Sequence, residues 1–241
     1  MSLVHPRIGP RRGRAWARTW WGKAWQRAVE EAAYDETDLR RARSLARGGA
    51  VGGVAVDIGE ARSAVEDRDD LWSVGVEVPL LEADAREALV EVVAAEVGRI
   101  AALLAGDLPH DLVEHAEEAG VELLPFGGEL AATCTCSAWV DPCAHALAML
   151  LQLGWLVEDD PLLLVHLRGL ERSALLADLH ERAGAGLADG DARGASVREQ
   201  DDLLLETAVA AAEQAARWLA DLDDQADGGG CAQPDGPGRI G

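Results

Sequence analysis

Apolar positions near the start of the chain recur at helical spacing. Trp16, Trp20, Trp21 and Trp25, followed by Ala28, Val29 and Ala32, share one face, so an amphipathic helix is expected over residues 16–32. Between about residues 43 and 79 the period changes to two. Val54, Val56 and Ile58 alternate with polar residues, as do Trp72, Val74, Val76 and Val78, and Gly48-Gly49, Gly52-Gly53, Gly59 and Asp69-Asp70 punctuate the runs. This pattern predicts an antiparallel meander of three or four strands. Leu89, Val93, Val97, Ile100 and Leu104 then form a stripe that predicts a helix over residues 83–105, stopped by Gly106. A shorter helix is expected from Leu108-Pro109 to Ala119, a strand over residues 121–125, and a turn at Gly127-Gly128. Asp141-Pro142 reads as N-cap and first helical residue of a helix reaching about Leu153, before Gly154. Asp160-Pro161 repeats that start for a short helix to Gly169, and another is expected over residues 171–182.

The ends are patterned differently. Residues 1–14 carry Pro and Arg without periodicity and are expected to form a flexible basic arm. Residues 183–199 are rich in Gly, Ala and Asp, as a linker would be. An amphipathic helix is expected over 200–224, with Leu204, Val209, Ala212, Trp218 and Leu219, and a disordered tail over 225–241, where Cys231 is an unpaired bystander.

The chemistry is concentrated in Cys134-Thr135-Cys136, six residues, then Cys143-Ala144-His145. Three of the four cysteines and one of the six histidines fall within this stretch. Cys134, Cys136, Cys143 and His145 make a Cys₃His set, one of the standard tetrahedral ligand sets of structural zinc, with no position left for water. Cysteines at i and i+2 on an extended segment point to one face. Cys143 and His145 would diverge in mid-helix, but near a free helix end both can turn onto one ion. The positive end of the helix also favours thiolates. The alternatives for these cysteines are buried apolar packing, or a strained disulfide or redox pair of Cys134 with Cys136. His110 and His115, five apart on one helix, do not share a face and read as surface residues.

Composition sets the wider frame. The 241 residues are 49% hydrophobic, enough for a core, and so few cysteines, mostly clustered, point to a reducing compartment, hence the cytoplasm. The first 20 residues hold no apolar core of signal-peptide length, and the longest apolar run, 144–157, is interrupted by His145 and Gln152, so no membrane span is expected. The net charge is −21, yet no acid precedes Glu30, while Arg7, Arg11, Arg12, Arg14, Arg18, Lys23 and Arg27 give +7, leaving −28 for the rest. Such an arm fits nucleic acid, an acidic partner or docking on its own body. The tryptophans beside it fit either a core stripe, the commoner case, or a surface for stacking bases. No phosphate-binding Gly-x-x-x-x-Gly-Lys loop, no Gly-x-Ser-x-Gly elbow and no open metal position is present, so neither catalysis nor a small-molecule substrate is expected.

The Cys-x-Cys, spacer, Cys-x-His pattern resembles the SWIM zinc fingers, whose bacterial members commonly read Cys-x-Cys-Pro-x-Trp, then Pro-Cys-Lys-His. Cys134, Cys136, Trp139, Pro142, Cys143 and His145 match. Ser137 stands in place of Pro, and Ala144 in place of Lys, which removes the most obvious phosphate contact. Arg18-Thr19-Trp20-Trp21-Gly22, Asp160-Pro161-Leu162-Leu163-Leu164 and Leu167-Arg168-Gly169 are also similar to family segments, so the likeness spans about residues 16–182.

The resulting expectation is an α+β fold: a small antiparallel sheet with flanking helices, a strand-turn-helix zinc finger, and a helical C-terminal part. Its parts would be an N-terminal α+β region (15–127), the finger (128–158) with Trp139 as a lid on its helix, and a helical extension (159–182). The resemblance implies one structural Zn²⁺ and a non-enzymatic adaptor whose protein partner is a Swi/Snf-class helicase-like ATPase. The alternatives are nucleic-acid binding through Arg7, Arg11, Arg12, Arg14, Arg18 and the finger, or thiol redox sensing. Where the family sheet tends to be basic, Glu60, Glu66, Asp67, Asp69 and Asp70 stand here and weigh against DNA on that surface.

Overall fold

The hydrophobic run after Cys143 forms a helix, Ala144–Asp159, that is buried on almost every side, and the other elements are arranged around it. A helix apolar all round has no solvent face, so it must lie in a core. The computed structural model describes residues 2–12 and 16–189, with side chains through residue 182. Its described elements are α1 (Trp20–Ala32), α2 (Glu36–Gly48), α3 (Ala83–Ala94), α4 (Val97–Leu104), α5 (His110–Glu118), α6 (Ala144–Asp159), α7 (Pro161–Leu167) and α8 (Arg172–Asp189), with strands β1 (Leu3–His5), β2 (Val54–Asp57), β3 (Glu60–Asp67), β4 (Asp70–Glu77) and β5 (Ala131–Cys134). The strands form one antiparallel sheet in the order β1-β2-β3-β4-β5. The fold is α+β, as the pattern predicted, and α6 packs on α1, α2 and the sheet.

Residues through Arg182 form one unit, so the N-terminal region, finger and helical extension share a single core. The remainder from Ala183 is a second unit, described only as the α8 backbone to Asp189. The first seven residues of the expected linker are therefore helical. The rest of that linker, the 200–224 helix, the tail and Cys231 lie outside the described residues. No described helix is long and apolar enough to cross a membrane.

The tryptophan stripe is core. Trp25 is 1% exposed, Trp21 is buried, and Trp16 and Trp20 are half-buried. Each large ring brings a polar N–H inside that needs an acceptor. The indoles of Trp20, Trp21 and Trp25 donate to the carbonyls of Leu108, Val157 and Leu150 at 3.0, 3.2 and 2.9 Å. Gly154, expected to end the finger helix, lies inside it. A Cβ there would come within 2.5 Å of Trp25 Cδ1, so the glycine is where α1 and α6 meet most closely. The start of α1 is held from α6: the buried Glu158 carboxylate accepts from the Arg18 and Thr19 amides, the latter at 2.7 Å. A carboxylate there meets both unpaired N–H groups and the positive helix end.

Several expectations are corrected. Residues 2–12 are not a free lead-in, because Leu3–His5 pairs with Val54–Val56 as an edge strand. Three residues are too few for a period to show in sequence. Residues 43–48 belong not to the meander but to α2, which is capped at its start by Asp35, whose carboxylate accepts from Thr37 and Asp38 at 2.7 and 2.8 Å, and at its end by Gly49. The arginines between its buried Leu39, Ala42 and Ala46 hide its apolar stripe. The single helix over 83–105 is two. At the break the buried Arg99 guanidinium donates to Val92 O (2.8 Å), Glu96 Oε1 (2.8 Å) and Asp111 Oδ2 (3.1 Å). The strand expected over residues 121–125 does not form: this stretch is irregular, with a bend at Leu124, and the sheet edge is the later β5.

Candidate metal centre

Two arms bring the four predicted ligands together. Cys134 ends β5, whose Cys134 lies opposite Val74 of β4, and the Thr135 N–H continues the ladder by donating to Ser73 O at 3.0 Å. Cys136 follows two residues on. On the other side the helix begins later than expected. Cys143 is its N-cap, with extended backbone angles (φ −76°, ψ 172°), and the Asp141–Pro142 peptide is cis. Cys143 thus stands outside the helical rotation, while His145 sits in the first turn. This is how two residues that would diverge in mid-helix converge here.

The ligand atoms of Cys134, Cys136, Cys143 and His145 all lie within 4.8 Å of one another. His145 turns Nδ1 toward the sulfurs, 3.8 Å from Cys134 Sγ and 3.9 Å from Cys143 Sγ, and Cys136 and Cys143 sulfurs are 3.5 Å apart. Zn–S and Zn–N bonds of ~2.3 and ~2.0–2.1 Å give a tetrahedron with edges of about 3.5–3.8 Å, so the cluster fits the ion. All three cysteines are free, and 3.5 Å is far beyond a disulfide bond of ~2.05 Å.

The thiols compete for charge. Burial pushes Cys134 up to about 12 and raises Cys143 as well. Burial opposes ionisation at Cys136 too, but hydrogen bonds from the Ala138 amide and from His145 outweigh it and bring that thiol down to about 7. Protons alone therefore leave the cluster with at most one thiolate near neutrality. A divalent cation is what allows all three to ionise together.

One functional residue was missed. Asp67, at the end of β3, accepts from His145 Nε2 at 3.0 Å and is also paired with Arg41. The His145 hydrogen bond, helped by Arg41 and opposed by burial, holds the Asp67 carboxyl below its usual range. The contact fixes the tautomer that leaves Nδ1 free for metal, and Trp72 stacks on the imidazole at 5.8 Å. Sequence separation of 78 residues concealed this pairing. Partners of this kind are worth about 10–100-fold in metal affinity. Asp67→Asn is expected to weaken zinc binding by that factor in competition with a chelating dye. Unchanged affinity would make the contact incidental.

Trp139 is not a lid. It is 84% exposed, and its ring meets Tyr34 edge to face at 5.6 Å. His110 lies against Trp20 and His115 beside Arg99, both away from the cluster, and His166 is packed at 4% exposure among the leucines of α7.

Comparison with known proteins agrees with this geometry. The uncharacterized protein Rv2102 of Mycobacterium tuberculosis is 31% identical over 164 residues, which is 67% of this chain and 58% of that protein, so the match spans less than two thirds of the relative. No solved structure matches the chain. Residues 120–154 match the SWIM zinc finger family model. The chain therefore carries a SWIM zinc finger, whose Cys₃His group supports a structural zinc ion.

Proposed function

We propose that this protein is a non-enzymatic adaptor that binds a protein partner through a surface its zinc finger holds in shape. What supports this most is the condition of the basic arm. Arg7 is bonded to Glu66 at 2.7 and 3.0 Å and to Gly49 O at 2.8 Å, and Arg18 is paired with Asp159 at 3.5 Å. Arg11 lies 4.5 Å over the Trp155 ring, Trp155 stacks on Trp16 at 5.5 Å, and Arg47 lies 4.2 Å over Trp16. The arm is thus engaged with the acidic body. Arg12 stays exposed, and Arg14 is outside the described residues. A polyanion would have to displace these contacts at a chain carrying −21.

A closed Cys₃His set leaves no position to activate water, which favours a structural over a catalytic ion. Bound zinc would also mask the thiolates that redox sensing needs. The Swi/Snf-class helicase-like ATPase remains the partner implied by resemblance to the finger family. The nucleic-acid reading keeps one specific support: Tyr34 and Trp139, 67% and 84% exposed, offer bare aromatic faces beside the finger.

Affinity capture with the full chain from its own cell extract separates the two. Recovery of a helicase-like ATPase at physiological salt, resistant to nuclease, is the expected result. Nuclease-sensitive recovery with steep salt dependence in direct DNA binding would reverse the assignment.

A further inference from the structure

A second surface lies away from the metal. Residues 121–126 run outside the sheet between α5 and β5, and with the segment leading into α3 they frame an open hollow of about 560 Å³. That is within the ~300–1,000 Å³ of ligand-binding pockets. Two large apolar side chains stand on it, Leu80 at 49% and Phe126 at 52% exposure. Three carboxylates line it as well, Glu82, Glu117 and Glu122, all exposed and without an ion pair among the described residues. The one cation in the lining, Arg168, is 4% exposed and faces inward: its Nη atoms donate to Pro79 O and Glu122 O, both at 2.7 Å. Its buried Nε–H has no acceptor among the described residues. The mouth is therefore negative and its walls are partly apolar.

We propose that this hollow docks a basic, apolar segment of a partner protein, in which Arg or Lys meets Glu82, Glu117 and Glu122 and an apolar neighbour covers Leu80 and Phe126. The occupant follows from charge complementarity and from the apolar rim together. A purely ionic ligand would leave Phe126 in water, and an apolar one would bury three carboxylates without cations, which is unfavourable. The proposal rests on the adaptor reading above and says where part of the partner would sit.

The test uses the purified full chain with zinc and fluorescein-labelled peptides read by anisotropy. The peptide (Arg-Leu)₃ should bind, and (Glu-Leu)₃ should not. Glu82→Gln with Glu117→Gln should weaken binding at least tenfold, as should Phe126→Ser. Glu118→Gln with Asp107→Asn, which removes the same charge from exposed positions outside the hollow, should change it less than twofold. Equal losses in both double variants would reduce the effect to the general field of an acidic protein and overturn the proposal. Equal binding of (Ser-Leu)₃ would assign the hollow to an uncharged apolar partner, and self-association abolished by Phe126→Ser would assign it to a second copy. Either outcome also overturns it. If affinity capture recovers the same protein with the Glu82/Glu117 variant as with the parent, the adaptor reading stands and this surface falls. If capture fails while the peptide binds as described, the surface stands and the adaptor reading falls.

Discussion

Cys143→Ser is expected to lose nearly all of its zinc, against about one ion per chain in the parent, and to lose its cooperative thermal transition with it. The four ligands meet where β5 and the first turn of α6 come together, with Cys143 itself 4% exposed as the helix N-cap. Structural zinc in finger peptides contributes apparent binding free energies on the order of 10–16 kcal/mol near pH 7. A whole domain is commonly stable by only about 5–15 kcal/mol, so the metal term matches or exceeds the total. In an independent finger the damage would be local. Here α6 is also the central helix of the unit through Arg182, so the effect should spread to the Trp25 environment and the sheet. Elemental analysis of the variant, with melting curves of the parent before and after a strong chelator, provides the check. Full zinc in Cys143→Ser would take that residue out of the ligand set. An unchanged melting curve after demonstrated metal removal would end the structural role.

Trp25→Ala should destabilise the protein by about 3–5 kcal/mol, the range for truncating a buried aromatic. Its ring lies against the one position in α6 that has no Cβ, and its N–H donates to Leu150 O at 2.9 Å. Truncation opens a cavity that neither helix can close, because both are held elsewhere: α1 by Glu158 at its start, and α6 by the sheet. Trp139→Ala, at an exposed ring, should move stability by less than about 0.5 kcal/mol, as surface substitutions usually do. Urea unfolding of the two variants beside the parent gives the comparison. A loss below about 1 kcal/mol for Trp25→Ala would mean that α1 is not fastened to the core as described.

Where neighbouring residues act on each other, the sequence by itself was informative. The period of two over β2–β4, the tryptophan face of α1, the Asp160-Pro161 start of α7 and the spacing of Cys134, Cys136, Cys143 and His145 are all local patterns, and each depends on side-chain direction within one element. They determined the α+β class and the metal-binding chemistry. The tertiary structure decided the rest, because it depends on which distant surfaces meet. Gly154 is a helix stop in any local reading, yet α6 passes through it, since only glycine lets Trp25 lie so close. Leu3–His5 becomes a strand because β2 offers a free edge. Asp67 orients His145 because the end of β3 reaches the first turn of α6, and the arginines expected to reach outward turn back on Glu66, Asp159 and Trp155 because the acids and aromatic faces that attract them lie far along the chain. Periodicity says which face of an element is buried; it carries no information about what covers that face.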